Sequence, residues 1–126
     1  VKKAPMPESV KNRPTSATEE IFLFSKSPSY FYDPTGVRED SGANLRNVWI
    51  LGPEGNGKGH PAAFPRELAR RCLLLGSRAG DTILDPFAGS GTTGEVARQL
   101  GRKAILIELN PEYSEMSRER VEYALK

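Results

Sequence analysis

The chain has 126 residues, enough for one modest hydrophobic core in a single domain. Eighteen basic residues against sixteen acidic ones leave a formal net charge of +2, which neither demands nor excludes a nucleic-acid partner. A single cysteine excludes an internal disulfide, and no apolar run approaches the roughly 20 residues of a membrane helix or the pattern of a signal peptide; a cytoplasmic protein without membrane contacts is expected.

Residues 1–18 are rich in Pro, Lys, Ser and Thr and lack periodic apolar positions, which predicts an extended arm ahead of the folded residues 19–126. Ile21 to Phe24 is a fully apolar run and predicts a buried strand. Tyr30-Phe-Tyr32 predicts a second, with Ser27-Pro28-Ser29 turning between them into a hairpin. Its aromatic rings suit packing better than base stacking, since aromatics mainly supply buried area. Asp33 to Asn47 is polar, holds glycines and both charge signs, and reads as a mobile loop. Val48-Trp-Ile-Leu51 predicts another short strand.

Gly52-Pro-Glu-Gly-Asn-Gly-Lys-Gly59 fits the phosphate-loop pattern G-x-x-x-x-G-K, but Gly59 stands where a hydroxyl must bind magnesium. His60-Pro61 follows, and proline disfavours a helix starting there, so nucleotide hydrolysis is not expected. A helix is predicted after Pro65, with Phe64, Leu68, Ala69, Cys72 and Leu73 at helical spacing and Gly76 at its end. Cys72 on that apolar face reads as a core thiol, not a nucleophile. His60 is the only histidine, and a metal site would want partners that the sequence does not offer.

Thr82 to Leu84 predicts a buried strand, and at Asp85 the chain enters a glycine-rich bend. Val96, Ala97 and Leu100 then mark a helix ending at Gly101, and Ala104-Ile-Leu-Ile107 is a further strand closed by Glu108. Asn110-Pro111 predicts the next helix start, with Tyr113, Met116, Val121 and Leu125 as its apolar stripe and a solvated, ion-paired opposite face.

Strand, glycine loop, helix, strand and terminal acid together read as a nucleotide-type site. Gly89 and Gly91 remove Cβ atoms that would keep a ligand off the backbone. The helix start suits a phosphate or a carboxylate. Glu108 lies at the carboxyl end of a strand, where its two oxygens match the two hydroxyls of a ribose. Gly89-Ser-Gly-Thr-Thr-Gly94 is a literal G-x-G-x-x-G with an acid about 20 residues on, so a dinucleotide site and an NAD-type oxidoreductase remain open on this pattern.

The longer string Asp85-Pro86-Phe87-Ala88-Gly89-Ser90-Gly91-Thr92 resembles the S-adenosylmethionine motif of amino-directed DNA methyltransferases, in the class whose cofactor motifs follow the catalytic one. His60-Pro61-Ala62-Ala63-Phe64-Pro65 is similar to the same family's second cofactor motif. Pro7 to Pro14 and Thr18 to Lys26 are similar to the segment after its catalytic half, although Thr18-Glu19 stands where relatives often carry His-Glu. The resemblance implies S-adenosyl-L-methionine as cofactor. Its methionine part would lie in the glycine loop, walled by His60, Pro61, Ala62 and Phe64 and with Phe87 alongside. Glu108 would hold the ribose, and Leu109 and Asn110 would flank the adenine. It also implies double-stranded DNA as substrate, a restriction-modification setting, and a target-recognition role near Asp33 to Asn47, where Arg38 or Arg46 would meet phosphates.

The family's catalytic Asp/Asn/Ser-Pro-Pro-aromatic motif is absent, since no Pro-Pro pair occurs. The expected fold is therefore α/β: a partial Rossmann-like methyltransferase sheet, incomplete in this chain, with no catalytic residue of its own. Because unpaired edges inside a parallel sheet are costly, self-association or a partner (a missing N-terminal half or a second polypeptide) is expected. The chain begins with Val1 rather than methionine, which suggests an excised piece. A non-catalytic module that retains the methyltransferase fold is the other reading.

Overall fold

The structure, a computed structural model, describes residues 1–2, 9, 11–39, 41–52, 54 and 64–124. In chain order it holds a 3₁₀ turn at Thr35–Val37, helix α1 at Arg66–Gly76, strand β1 at Thr82–Asp85, helix α2 at Thr92–Gln99, strand β2 at Lys103–Leu106 and helix α3 at Pro111–Tyr123. His60, Pro61, Ala62 and most of the phosphate-loop-like string lie outside the described residues.

One β-α-β unit organises these elements. The β-branched Thr82 and Ile83 favour extended backbone. β1 and β2 pair in parallel, with Ile83 opposite Ala104, Leu84 opposite Ile105 and Asp85 opposite Leu106. Parallel strands need a crossover, which α2 supplies. Gly101, at φ 73°, ends the turn after α2 in a conformation that side-chain-bearing residues avoid. The pairing continues past both strands, with the Ile107 N–H donating to the Asp85 carbonyl at 2.9 Å and the Ala88 N–H to the Ile107 carbonyl at 2.9 Å. As expected, α3 starts at Asn110-Pro111: the Asn110 Oδ1 accepts from the Glu112 N–H at 2.9 Å. Pro65 stands one place outside α1, as its N-cap residue, not in the first turn.

Successive strand residues point to opposite faces. On one face Ile83 packs against Ala69 and Leu73 of α1 and Val96 and Ala97 of α2, with Leu100 alongside. α1 and α3 flank α2 on this same side, so the core is a single helical layer over two strands. On the other face Leu84, Ile105 and Ile107 are 60%, 55% and 54% exposed. Nothing among the described residues covers them, and the partial α/β sheet expected from the sequence is what is seen.

Four expectations need correction. Thr82 to Leu84 forms a strand but not a buried one, since only Ile83 faces the helices and Thr82 and Leu84 are exposed. Ile21, Phe22, Leu23 and Phe24 are all exposed and form no strand, and no hairpin with Tyr30-Phe-Tyr32 exists among the described residues. An apolar run of this kind is buried only when other elements cover both of its faces, and the described residues provide none. Val48 to Leu51 shrinks to one isolated parallel bridge between Leu51 and Lys2. Cys72 is exposed instead of in the core, since it lies off the Ala69–Leu73 line that packs into the core; neighbouring atoms still desolvate the thiol enough to raise its pKa.

The polar segment 33–47 docks on α1 through its 3₁₀ turn, where Val37 is buried and the Arg70 guanidinium donates to the Gly36 carbonyl at 3.4 Å. Asp33 caps that turn. Its Oδ1 accepts from the Thr35 hydroxyl at 2.6 Å and the Thr35 N–H at 2.9 Å, which holds its carboxyl below the usual range. Phe31 lies half-buried beneath the Arg78 guanidinium, 4.1 Å from the ring centroid.

Candidate functional site

The carboxyl ends of β1 and β2 carry the residues singled out in the sequence. At the end of β1 the Asp85 Oδ1 accepts from the Phe87 N–H at 3.0 Å, an Asx turn that starts the loop. Gly89 at φ 53° and Gly91 at φ 83° then reverse the chain, and α2 begins at Thr92 with its positive dipole end beside the loop.

Glu108, just past β2, spans the two strand ends. One carboxylate oxygen accepts from the Gly89 N–H at 2.8 Å, and the other accepts from the Asn110 N–H at 2.8 Å. Each carboxylate oxygen can accept more than one hydrogen bond. Phe87 and Leu109 flank this point and are 88% and 97% exposed, two large apolar side chains left uncovered beside a carboxylate. Pro86 and Asn110 are exposed, and Asp85, Gly89 and Glu108 half-exposed. An open concavity of ≈ 250 Å³ lies between β2 and α3, with Glu108 and Arg118 among its lining residues.

The other half of the loop faces inward. Ala88, Ser90, Gly91 and Thr92 are buried. A Cβ on Gly91 would lie 2.8 Å from the Ser117 Cα and 2.9 Å from its Cβ, so this glycine admits α3 rather than a ligand. Gly94 is also a packing glycine, since its Cβ would meet Leu106 at 2.4 Å and Val121 at 2.8 Å. The Ser90 and Thr92 hydroxyls accept from Arg120 Nη1 at 3.0 Å and 2.9 Å.

Arg120 is the loop neighbour that the sequence does not single out, because arginines on α3 read as part of a solvated, ion-paired face. Its Nε lies 2.8 Å from the Glu95 Oε2, whose other oxygen accepts from Arg66 Nε at 2.9 Å. The available signal was helical spacing, since Ser117, Arg120 and Val121 share one face. The Arg66–Glu95 pair also brings the start of α1, two residues after Phe64, to the first turn of α2. Phe64 is exposed there.

A larger concavity, ≈ 670 Å³, lies between the 3₁₀ turn and α1, with Arg38, Glu39, Glu67, Arg70 and Arg71 among its lining residues. Most of its charges are paired: Arg71 and Arg70 meet Glu67 at 2.8 Å and 3.8 Å, and Arg46, from outside the cleft, reaches Glu39 at 3.4 Å. Such self-paired clefts offer a ligand little, and we place the site at the strand ends, where apolar surface and a fixed carboxylate converge.

The N6_N4_Mtase family model, a DNA methylase family, matches residues 1–119. The chain is similar to the type II methyltransferase M.SmaI of Serratia marcescens, 46% identical over 121 residues that cover 91% of this chain and 41% of that protein. Among solved structures it is similar to the PvuII cytosine-N4-specific DNA methyltransferase, with a TM-score of 0.67 and 33% identity over 76% of this chain and 37% of that chain. It is also similar to a Thermus thermophilus protein solved in complex with S-adenosyl-L-methionine, with a TM-score of 0.55 and 40% identity over 64% of this chain and 30% of that one. The chain spans about two fifths of the length of curated relatives that it matches.

Proposed function

The chain belongs to the N6_N4_Mtase DNA methylase family, and we propose that it forms the cofactor-binding part of an enzyme that methylates an exocyclic amine of DNA, adenine N6 or cytosine N4. The observation that carries this reading is the Glu108 carboxylate fixed across the ends of two parallel strands by the Gly89 and Asn110 amides, with Phe87 and Leu109 exposed on either side. That donor set fits S-adenosyl-L-methionine: a carboxylate for ribose hydroxyls, apolar flanks for the adenine, and a glycine turn at a helix start for the amino-acid end. When bound, this cofactor supplies an electrophilic methyl group on a sulfonium.

In this reading Glu108 receives the ribose hydroxyls while Leu109 and Asn110 border the adenine. Phe87 and the Phe64 end of α1 line the methionine side; the part that the family resemblance implies for His60, Pro61 and Ala62 falls outside the described residues. Asp85 and Pro86 set the direction of the loop, and Gly89 lets the ligand approach its backbone. Ala88, Ser90, Gly91 and Thr92 support the loop from behind. Methyl transfer also needs hydrogen-bond acceptors that raise electron density on the target amine, and an aromatic face for the flipped base. The 126 residues hold no Pro-Pro pair, so we assign those groups to residues outside them, and DNA is the substrate of the assembled enzyme.

Calorimetric titration tests the cofactor assignment. S-adenosyl-L-methionine is expected to bind in preference to NADH, and the reverse preference would return the site to the dinucleotide reading. A second expectation concerns the uncovered sheet face: at high concentration light scattering should show self-association of the 126-residue chain, and a monodisperse monomer argues against it. Absence of the catalytic motif also fits a non-catalytic module. Supplying the catalytic half of a relative separates the two, since only the first reading expects methyl transfer to appear.

A further inference from the structure

We infer that Arg120, held in place by Glu95, is a positioning residue for the glycine loop, and that the loop owes its ligand-ready shape to this contact as much as to its own glycines. The inference rests on the cofactor reading of that loop. The loop is secured from two directions. In front, Glu108 accepts from the Gly89 N–H. Behind, Arg120 Nη1 reaches the Ser90 carbonyl at 3.3 Å, the Ser90 Oγ at 3.0 Å and the Thr92 Oγ1 at 2.9 Å. These three acceptors bracket Gly91, the turn at φ 83° that sets where the chain leaves β1 and enters α2.

An arginine side chain has many rotamers, so it can impose geometry on a loop only if it is itself held. Glu95 does this. It is buried in the first turn of α2, and its Oε2 sits 2.8 Å from Arg120 Nε as an ion pair, at an angle that leaves that oxygen without a well-formed hydrogen bond. The Glu95 Oε1 meets Arg66 Nε, which ties α1 into the same cluster. One buried carboxylate thus links the three helices to the back of the loop. Removing one partner of such a buried pair strips the other of its counter-charge, so Glu95 and Arg120 hold one another in place.

The test uses the protein in its natural form, with Arg120→Met, Arg120→Lys and, as control, Arg102→Met. Arg102 is an equally engaged arginine far from the loop in its contacts: it donates to the Ser77 carbonyl at 2.7 Å, the Ser77 Oγ at 3.2 Å and the Leu100 carbonyl at 2.6 Å. For each variant the Tm, the Kd for S-adenosyl-L-methionine and the hydrogen exchange of the 89–94 amides are measured. Arg120→Met should raise Kd about tenfold and speed exchange of these amides by a similar factor, as loss of charge-assisted bonds predicts. Arg120→Lys, which keeps the charge beside Glu95 but not the planar fork, should recover Tm without recovering Kd. Arg102→Met should lower Tm and leave Kd within about twofold.

Equal weakening of binding by Arg120→Met and Arg102→Met would reduce Arg120 to a stabilising role and overturn the inference. Unchanged loop exchange in Arg120→Met overturns it independently of any ligand. If the unsubstituted protein binds no S-adenosyl-L-methionine, the functional reading falls, and loop exchange alone decides for or against the role of Arg120.

Discussion

Replacing Gly91 with alanine is expected to destabilise the chain by about 2–4 kcal/mol, from backbone strain and overpacking together. The backbone holds φ 83° there, a region where a Cβ is strained whatever the space around it. The space is also taken, because the new Cβ would lie 2.4 Å from the Ser117 Oγ and 2.8 Å from the Ser117 Cα. A side-chain tip can swing away, but the Cα moves only if α3 moves. Since a domain has about 5–15 kcal/mol in total, such a loss is a large share of it. Urea denaturation followed by circular dichroism reads the effect as a lower midpoint. Gly76→Ala provides the contrast: it closes α1, its Cβ would meet nothing within 4 Å, and it should be neutral or slightly stabilising. Ser117→Gly added to Gly91→Ala should recover only part of the loss, since it changes neither the close approach of the α3 backbone nor the φ of the loop. An unchanged midpoint in Gly91→Ala would show that α3 does not sit against the loop.

Glu108→Ala is expected to weaken S-adenosyl-L-methionine by about 1–3 kcal/mol, roughly five- to 150-fold in Kd, by leaving the ribose hydroxyls without their acceptor. The structure adds a second consequence that the sequence did not suggest. The same carboxylate closes the glycine loop through the Gly89 N–H and starts the turn into α3 through the Asn110 N–H. Its loss should therefore also speed exchange of those two amides in the absence of ligand. Titration of the variant separates the parts: unchanged affinity removes Glu108 from ribose binding and leaves it as a loop brace.

What could be read from the sequence was local. The β-α-β unit follows from two short apolar strands and a periodic helix between them, and the start of α3 from a single Asn-Pro pair. The place of Glu108 follows from its position immediately after a strand. What could not be read depends on elements far apart in the chain. Glycine spacing marks a turn, yet whether a missing Cβ makes room for a ligand or for a helix depends on α3, which lies about 25 residues later, so Gly91 was assigned to the ligand and in the structure meets Ser117. Arg120 sits in a helix crowded with charges, and only the depth of Glu95 distinguishes it from its exposed neighbours. For Ile21 to Phe24, composition predicted a buried strand, and the run is exposed, because burial of a continuous apolar run depends on elements that are not among the described residues.

The uncovered Ile21–Phe24 run also bears on synthesis. Thr82 pairs with Lys103, so the ordered unit closes over a short stretch at the far end of the chain. A ribosome makes the apolar run before that unit; at about 5–20 residues per second, Phe24 precedes β1 by roughly 3–12 s. During that interval four consecutive apolar side chains have no folded surface from β1 onward to meet. They are the natural grip for a holdase chaperone, and soluble yield should depend on translation speed and chaperone supply more than on the stability of the finished core.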